Sequence, residues 1–384
     1  MPPAPSQTTP PDARRLTPDE LAEALRALGE PAYRARQVLD WLHRRRAASW
    51  AEMSSLPAPL RARLAESFPL RPPELVRRQG ARDTTQKFLW RLADGALVES
   101  VLIPANPALY GDRADRHTLC VSTQVGCAYG CRFCASGLDG WKRNLLPEEI
   151  TGQVYAVERW HTSESSSKQA EQESRAGRST STTRLIDNLV IMGMGEPLAN
   201  YANLLAALRT LNAPWGGGIG ARKITVSTSG LAPQIRRLAD EPEQFRLAIS
   251  LHGATDEVRG QIMPVNRKHP LAELTTACGY YVGKKGRMIT LEYILLAGVN
   301  DRAEDAAPLA ALARRLHAKV NLIPYNHVEG LEWTRPDDAA CEAFAAALGR
   351  RDVPVTLRLE KGHDIDAACG QLRLKTEREL ARAT

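Results

Sequence analysis

A chain of 384 residues with 43% hydrophobic and 25% charged content has the make-up of an ordinary globular protein and can bury a large core; one catalytic domain plus a small accessory one is the natural partition. The absence of a signal peptide and of any apolar run long enough to span a bilayer argues against a secreted or membrane protein. Seven cysteines, three of them tightly clustered, point to a reducing cytoplasm. A net charge of +7 permits a nucleic-acid partner without requiring one.

The Pro-rich start, residues 1–15, reads as disordered. At Leu16-Thr17-Pro18-Asp19-Glu20 a helix begins: Thr17 can cap, Pro18 suits the first helical position and Glu20 completes a capping box. Leu21, Ala24, Leu25 and Leu28 give it one apolar face, and Gly29 can end it. A second helix is expected from Tyr33 to Arg46, with Val38, Leu39, Trp41 and Leu42 inward and a basic run of Arg34, Arg36, His43, Arg44, Arg45 and Arg46. That run is either a solvated face or an RNA contact. Leu56 to Leu70 adds a third helical piece, so 16–70 reads as a small helical, RNA-binding accessory domain. Residues 72–117 form a β-rich extension, with a turn at Ala93-Asp94-Gly95 between Phe88–Leu92 and Ala96–Ile103.

From 118 to 375 strands and helices alternate. Strands are expected at 118–124, 186–192, 222–228, 246–251, 287–295, 319–324 and 353–359. Helices are expected at 147–160, 200–212, 231–240, 270–284, 302–317 and 336–349. Such alternation implies an α/β fold with a parallel sheet, and six units closing partway round give a partial, TIM-like (βα)6 barrel. Residues 161–184 are Ser-, Glu- and Lys-rich without a large apolar residue, and read as a disordered insertion.

The chemistry gathers at Gly126-Cys127-Ala-Tyr-Gly-Cys131-Arg-Phe133-Cys134. Three thiols in eight residues can aim at one point, as soft ligands for iron–sulfur clusters or zinc. Three ligands leave one iron of a four-iron cluster open to a small chelating molecule; a structural site with Cys120 as fourth ligand is the alternative. In a parallel barrel the site lies at the C-terminal strand ends. There the sequence places Gly193-Met-Gly195-Glu196-Pro197, Ser227-Thr-Ser229-Gly230, Ser250-Leu251-His252 and Asn321-Leu-Ile-Pro-Tyr-Asn326.

The cysteine spacing, with an aromatic before the last Cys, resembles that of the radical S-adenosylmethionine (SAM) superfamily. Over about 16–375 the chain resembles the RlmN family, radical-SAM RNA methyltransferases that act on carbon 2 of adenine. The likeness rests on Leu119-Cys120-Val-Ser-Thr-Gln-Val-Gly-Cys127, Gly193-Met-Gly-Glu-Pro-Leu198, Val226-Ser-Thr-Ser-Gly230, Ala248-Ile-Ser-Leu-His252, Asn321-Leu-Ile-Pro-Tyr-Asn326 and Asp364-Ile-Asp-Ala-Ala-Cys369-Gly-Gln-Leu372. It implies a [4Fe-4S] cluster on Cys127, Cys131 and Cys134, with SAM at Gly195, Glu196, Ser227, Ser250, Leu251, His252 and Asn326. Two SAM molecules are used per turnover. One methylates Cys369; the other yields a 5′-deoxyadenosyl radical that activates this methyl group for addition to adenine. Glu99 then removes the carbon-2 proton, and Cys120 resolves the Cys369 adduct, leaving a disulfide. The implied partners of a monomeric enzyme are 23S rRNA, tRNA and an electron donor such as flavodoxin or ferredoxin. The related Cfr-type enzymes share the constellation but modify carbon 8. Cys278 and Cys341 sit on helices without a motif and read as small hydrophobes.

Overall fold

The structure is a computed structural model that describes residues 10–105, 116–172, 184–358 and 370–383. Three helices open it: α1 (Pro18–Ala27), α2 (Tyr33–Leu39) and α3 (Ala58–Ser67). The expected capping box is present: Glu20 N–H donates to Thr17 Oγ1 (3.3 Å) and Thr17 N–H to Glu20 Oε2 (2.8 Å). Gly29, at φ +76°, ends α1. Leu21, Leu25, Val38, Leu42, Leu60 and Leu64 form a core of their own, so these short helices are stabilised mainly by packing on one another.

Two expectations here are corrected. The second helix is α-helical only to Leu39 and continues as a π-turn over Asp40–Arg44. The change of pitch turns His43 inward, where it is 2% exposed with Nδ1 2.8 Å from the Tyr155 hydroxyl, while Trp41 stays half-buried. The basic run is therefore split: Arg36, Arg44 and Arg45 face solvent, whereas His43 and Arg46, the latter paired with Glu158 at 3.4 Å, face the barrel. Nor is the whole of 1–15 irregular. Asp12 is fully buried, ion-paired with Arg14 (2.6 Å) and accepting from Arg71 N–H (2.7 Å), beside a 3-10 turn over Ala13–Arg15. A partner 59 residues downstream leaves no trace in local composition.

Among the described residues the rest is built on a ten-stranded sheet in the order β1-β2-β3-β4-β7-β8-β9-β10-β11-β12. Its antiparallel edge is β1 (Glu74–Gly80), β2 (Gln86–Arg91) and β3 (Leu97–Pro104). β3 pairs antiparallel with β4 (His117–Cys120), with Val101 opposite Cys120. From β4 onward the pairs are parallel: β7 (Ile186–Ile191), β8 (Ile224–Thr228), β9 (Arg246–Ser250), β10 (Ile289–Leu295), β11 (Ala318–Pro324) and β12 (Val355–Leu357). The crossovers are α4 (Pro147–Gln172), α5 (Tyr201–Asn212), α6 (Ala232–Asp240), α8 (Leu271–Lys285), α9 (Ala306–Arg315) and α10 (Asp338–Gly349), with a short extra helix α7 (Asp256–Ile262) and a C-terminal α11 (Gln371–Ala383). The strands read as near-continuous apolar runs (Ile-Thr-Leu-Glu-Tyr-Ile-Leu in β10) because both faces of a parallel sheet are covered.

The expected strand 118–124 is shorter than anticipated. After Cys120 the chain leaves the sheet, and β5 (Gln124–Gly126) pairs with β6 (Trp141–Asn144) in a separate two-stranded sheet that frames the cysteine loop. The expected disorder from residue 161 is also corrected, since α4 runs on to Gln172. Ser, Glu, Gln, Lys and Ala propagate a helix that is already nucleated, so no apolar face is needed. Trp160 Nε1 donates to Glu164 (3.0 Å), which also pairs with Arg78 (3.1 Å). Residues 1–9 and 173–183 of the two segments read as disordered, together with Cys369, lie outside the described residues.

Candidate active site

At the C-terminal ends of the parallel strands opens a cavity of about 370 Å3. Cys127, Cys131 and Cys134 line it, as do Gly195, Glu196, Ser227, Ser250, His252 and Asn326 from the rim, and Cys120 and Glu99 from the antiparallel side. Of the residues expected at the site, Leu251 is buried behind the rim at 3% exposure, and Cys369 is the one outside the described residues.

The cysteine loop is shaped by glycines and by β6. Gly126 adopts φ +74°, and a side-chain carbon there would overlap the carbonyl oxygen of Gly140. That same oxygen accepts from Cys127 N–H at 3.1 Å, so the first cysteine is fixed by a contact that only glycine permits. Burial pushes the Cys127 thiol up to about 12, and the charges of Cys134 and Glu196 add to it. Cys131 is raised by burial first, then by Cys134 and Cys127. Three thiols lining one cavity are a soft donor set suited to a cationic metal group, whose binding would expel their protons. Among the described residues no three His, Cys, Asp or Glu side chains close on a single ion. Cys120 stands apart from the loop on β4, opposite Val101, and its thiol is pushed up to about 11 by burial, with Arg358 and Lys87 opposing the rise. The residues fit a cluster held by three cysteines, with the cavity beside it for a second molecule.

The rim is pre-organised by buried hydrogen bonds. Glu196 is 3% exposed, and its two oxygens accept from Leu198 N–H (3.0 Å) and Ser229 N–H (2.6 Å); burial raises it while these amides oppose the rise. Gln124 Oε1 receives Glu196 N–H at 2.8 Å, tying the end of β7 to β5. His252, at φ +55°, accepts the Ile294 N–H on Nδ1 (3.1 Å), which places its own proton on Nε2. Burial keeps this ring neutral, down at about 3, and its plane meets the Phe133 ring edge-on at 4.8 Å, joining the fourth strand end to the cysteine loop. Gln153 on α4 binds Ser100 and Ser122 through Oε1 (both 2.9 Å) and the Ser122 carbonyl through Nε2 (2.9 Å), locking β3 to the segment after Cys120.

Glu99 has more partners than its expected role asks for. It is 2% exposed; Oε2 accepts from Gly370 N–H (2.7 Å) and lies 3.1 Å from Lys87 Nζ, and Oε1 accepts from Arg373 N–H (2.6 Å). Lys87 is fully buried in β2, and the sequence reading does not single it out, although a lysine directly before the apolar run Phe88-Leu-Trp is the available signal. Glu292 and Arg358 also line the cavity unanticipated. Glu292 is held by Asn321 Nδ2 at 2.6 Å, and their opposition follows only from the β10–β11 register.

Comparison with known proteins agrees with this geometry. Residues 121–310 match the radical SAM superfamily, and residues 14–70 match the ribosomal RNA large subunit methyltransferase N-terminal domain. The chain is 55% identical to the probable dual-specificity RNA methyltransferase RlmN 3 of Opitutus terrae, with 94% of each chain covered. It is 49% identical to the probable dual-specificity RNA methyltransferase RlmN of Akkermansia muciniphila, over 100% of this chain and 99% of that one. The crystal structure of a radical SAM methyltransferase from Sphaerobacter thermophilus superposes with a TM-score of 0.83 at 43% identity, covering 94% of this chain and 99% of that one. The fold is the radical-SAM α/β fold with an N-terminal accessory domain, and the cofactors of this family are a [4Fe-4S] cluster and SAM. The chain belongs to the RlmN family of radical-SAM enzymes.

Proposed function

We propose that this radical-SAM RNA methyltransferase methylates carbon 2 of adenine in 23S rRNA and in tRNA, through a methyl group carried on Cys369. The observation that carries the reading is the meeting of the three clustered thiols, the polar strand-end rim, Cys120 and Glu99 around one cavity. Cys127, Cys131 and Cys134 hold the cluster, and Gly195, Glu196, Ser227, Ser250, Leu251, His252 and Asn326 form the SAM side of the cavity. When bound, the cluster and SAM supply the methyl group and the one-electron chemistry that an electron-poor carbon demands. The chain's own residues do the rest: Cys369 carries the one-carbon unit, Glu99 takes the carbon-2 proton, and Cys120 attacks the Cys369 sulfur to release RNA and leave a disulfide. Burial holds Cys120 protonated at rest, which guards against premature pairing. The accessory helices, with Arg36, Arg44 and Arg45 exposed, contact the RNA backbone. A low-potential carrier such as flavodoxin or ferredoxin supplies electrons to a monomer working in the cytoplasm; no helix among the described residues is long and apolar enough to cross a membrane.

The cysteine pair gives the test. With SAM, reductant and RNA, Cys120→Ala should stall with RNA covalently attached and shift on a denaturing gel. Cys369→Ala should form no adduct. Repeated turnover by Cys120→Ala, with free methylated RNA, would remove the resolving role.

A further inference from the structure

The end of α7 is joined to the cysteine loop by one backbone bond, from Arg132 N–H to the Ile262 carbonyl at 2.9 Å. On the same helix Arg259 is completely buried and sits behind the cavity wall rather than in it. Its Nη2 donates to the Ser229 carbonyl (2.5 Å), and its Nη1 donates to Asn266 Oδ1 (2.6 Å) and, at longer range, to the His269 carbonyl (3.4 Å). Nε meets no acceptor among the described residues. Gly230 leaves room for this group, since a side-chain carbon there would lie 2.9 Å from Nη2. The acceptors are all neutral, and among the described residues no carboxylate comes within ion-pair reach of the guanidinium. Asp256 stands one residue removed, at the exposed start of α7, where it accepts from Asn266 Nδ2 at 2.9 Å. A buried cation without an adjacent anion is costly, so this arrangement calls for negative charge from another source. Burial pulls Arg259 down to about 10, which leaves it a cation at neutral pH, and the anion that opposes this fall most is Cys131, ahead of Asp256 and Cys278.

We propose that Arg259 is the counter-charge of the cysteine-held cluster and sets its reduction potential from behind the cavity wall. The inference rests on the reading of Cys131 as a cluster ligand. The potential of an iron–sulfur group follows its net charge and its surroundings. Reduction adds one electron and therefore one negative charge, while the low-potential carrier is oxidised by one electron and no proton moves. A fixed cation in a water-free wall favours that added charge. The same guanidinium holds the Ser229 carbonyl, whose residue donates its N–H to Glu196 on the cavity rim at 2.6 Å. Arg259 touches neither substrate nor cluster; it is a positioning residue that acts through its field on Cys131.

Redox titration of the cluster-loaded chain without SAM or RNA, followed by electron paramagnetic resonance of the reduced cluster, reads this role directly. Arg259→Met keeps the length of the side chain and removes its charge. Reduction should become roughly tenfold less favourable, a midpoint about 59 mV more negative for a one-electron couple. Arg259→Lys keeps the charge and should hold the midpoint near the wild-type value, although it loses the forked bonds to Ser229 and Asn266. Asn266→Asp leaves Arg259 in place and sets a carboxylate against it, so the midpoint should move in the same direction as in Arg259→Met. That variant carries the test if Arg259→Met does not fold. A purely structural clamp would lower urea stability in both Arg259 variants and leave every midpoint unchanged. Equal midpoints in the wild type, Arg259→Met and Asn266→Asp, with iron and sulfide bound, would overturn the counter-charge alone. A wild-type chain that takes up no iron and sulfide would overturn the cluster reading itself, and this role with it.

Discussion

Replacing Gly126 by Ala tests how the cysteine loop is built. The backbone at φ +74° costs a non-glycine residue roughly 1–2 kcal/mol. The new methyl group would overlap the Gly140 carbonyl oxygen, so β5 and β6 must part and the Cys127 N–H loses its acceptor, at about 1–3 kcal/mol for an unmet buried donor. Together these give about 3 kcal/mol against the loop conformation that presents Cys127, or roughly a hundredfold in affinity for whatever the loop binds. Gly130→Ala is the built-in control. Gly130 also has positive φ, +58°, but nothing lies within 4 Å of an added carbon, so it bears the backbone term alone. After anaerobic reconstitution, iron and sulfide per chain should fall steeply in Gly126→Ala and only modestly in Gly130→Ala, with SAM cleavage following the iron. Equal iron in the two variants would refute the idea that the Gly126–Gly140 contact sets the loop.

Three further outcomes follow from polar side chains that satisfy backbone or buried partners. Burial lowers His43 from its ordinary 6.5 to about 3, so the unfolded chain takes up this proton first; its stabilising contribution is complete above about pH 6.5 and is lost as pH falls toward 3. Between pH 6 and 4 urea unfolding of His43→Gln should show a shallower acid slope than the wild type by up to one proton, about 1.4 kcal/mol per pH unit; parallel slopes would contradict the assignment. Gln153→Leu strands Ser100, the Ser122 amide and the Ser122 carbonyl, and should lose roughly 3 kcal/mol of stability by denaturant titration; a loss under 1 kcal/mol would mean the network is replaceable. Thr17→Ala, which removes one half of the capping box, should cost about 1 kcal/mol, seen as faster amide exchange across α1.

Much of the fold and site was legible because the signals were local. The capping box of Thr17 and Glu20, the strand–helix alternation from β7 to α10 and the cysteine spacing each sit within a few residues of chain. What stayed hidden depends on long-range pairing. Nothing near Asp12 announces Arg71, and nothing near Glu99 announces an amide 271 residues away at Gly370. The inward turn of His43 arises from a π-turn that the 3.6-residue pattern of Val38, Leu39 and Leu42 does not encode. The continuation of α4 to Gln172 shows the converse: an apolar-poor stretch reads as structureless although its helix-forming residues merely extend an existing helix.

The central claim, that this cavity places a one-carbon unit on carbon 2 of adenine, is tested most directly by anaerobic reaction of the cluster-loaded chain with SAM, a low-potential reductant and unmodified 23S rRNA or tRNA. Nuclease digestion and mass spectrometry of the nucleosides should show 2-methyladenosine with the wild type and none with Cys369→Ala. Appearance of 8-methyladenosine instead, or of 2-methyladenosine with the Cys369 variant, would contradict it.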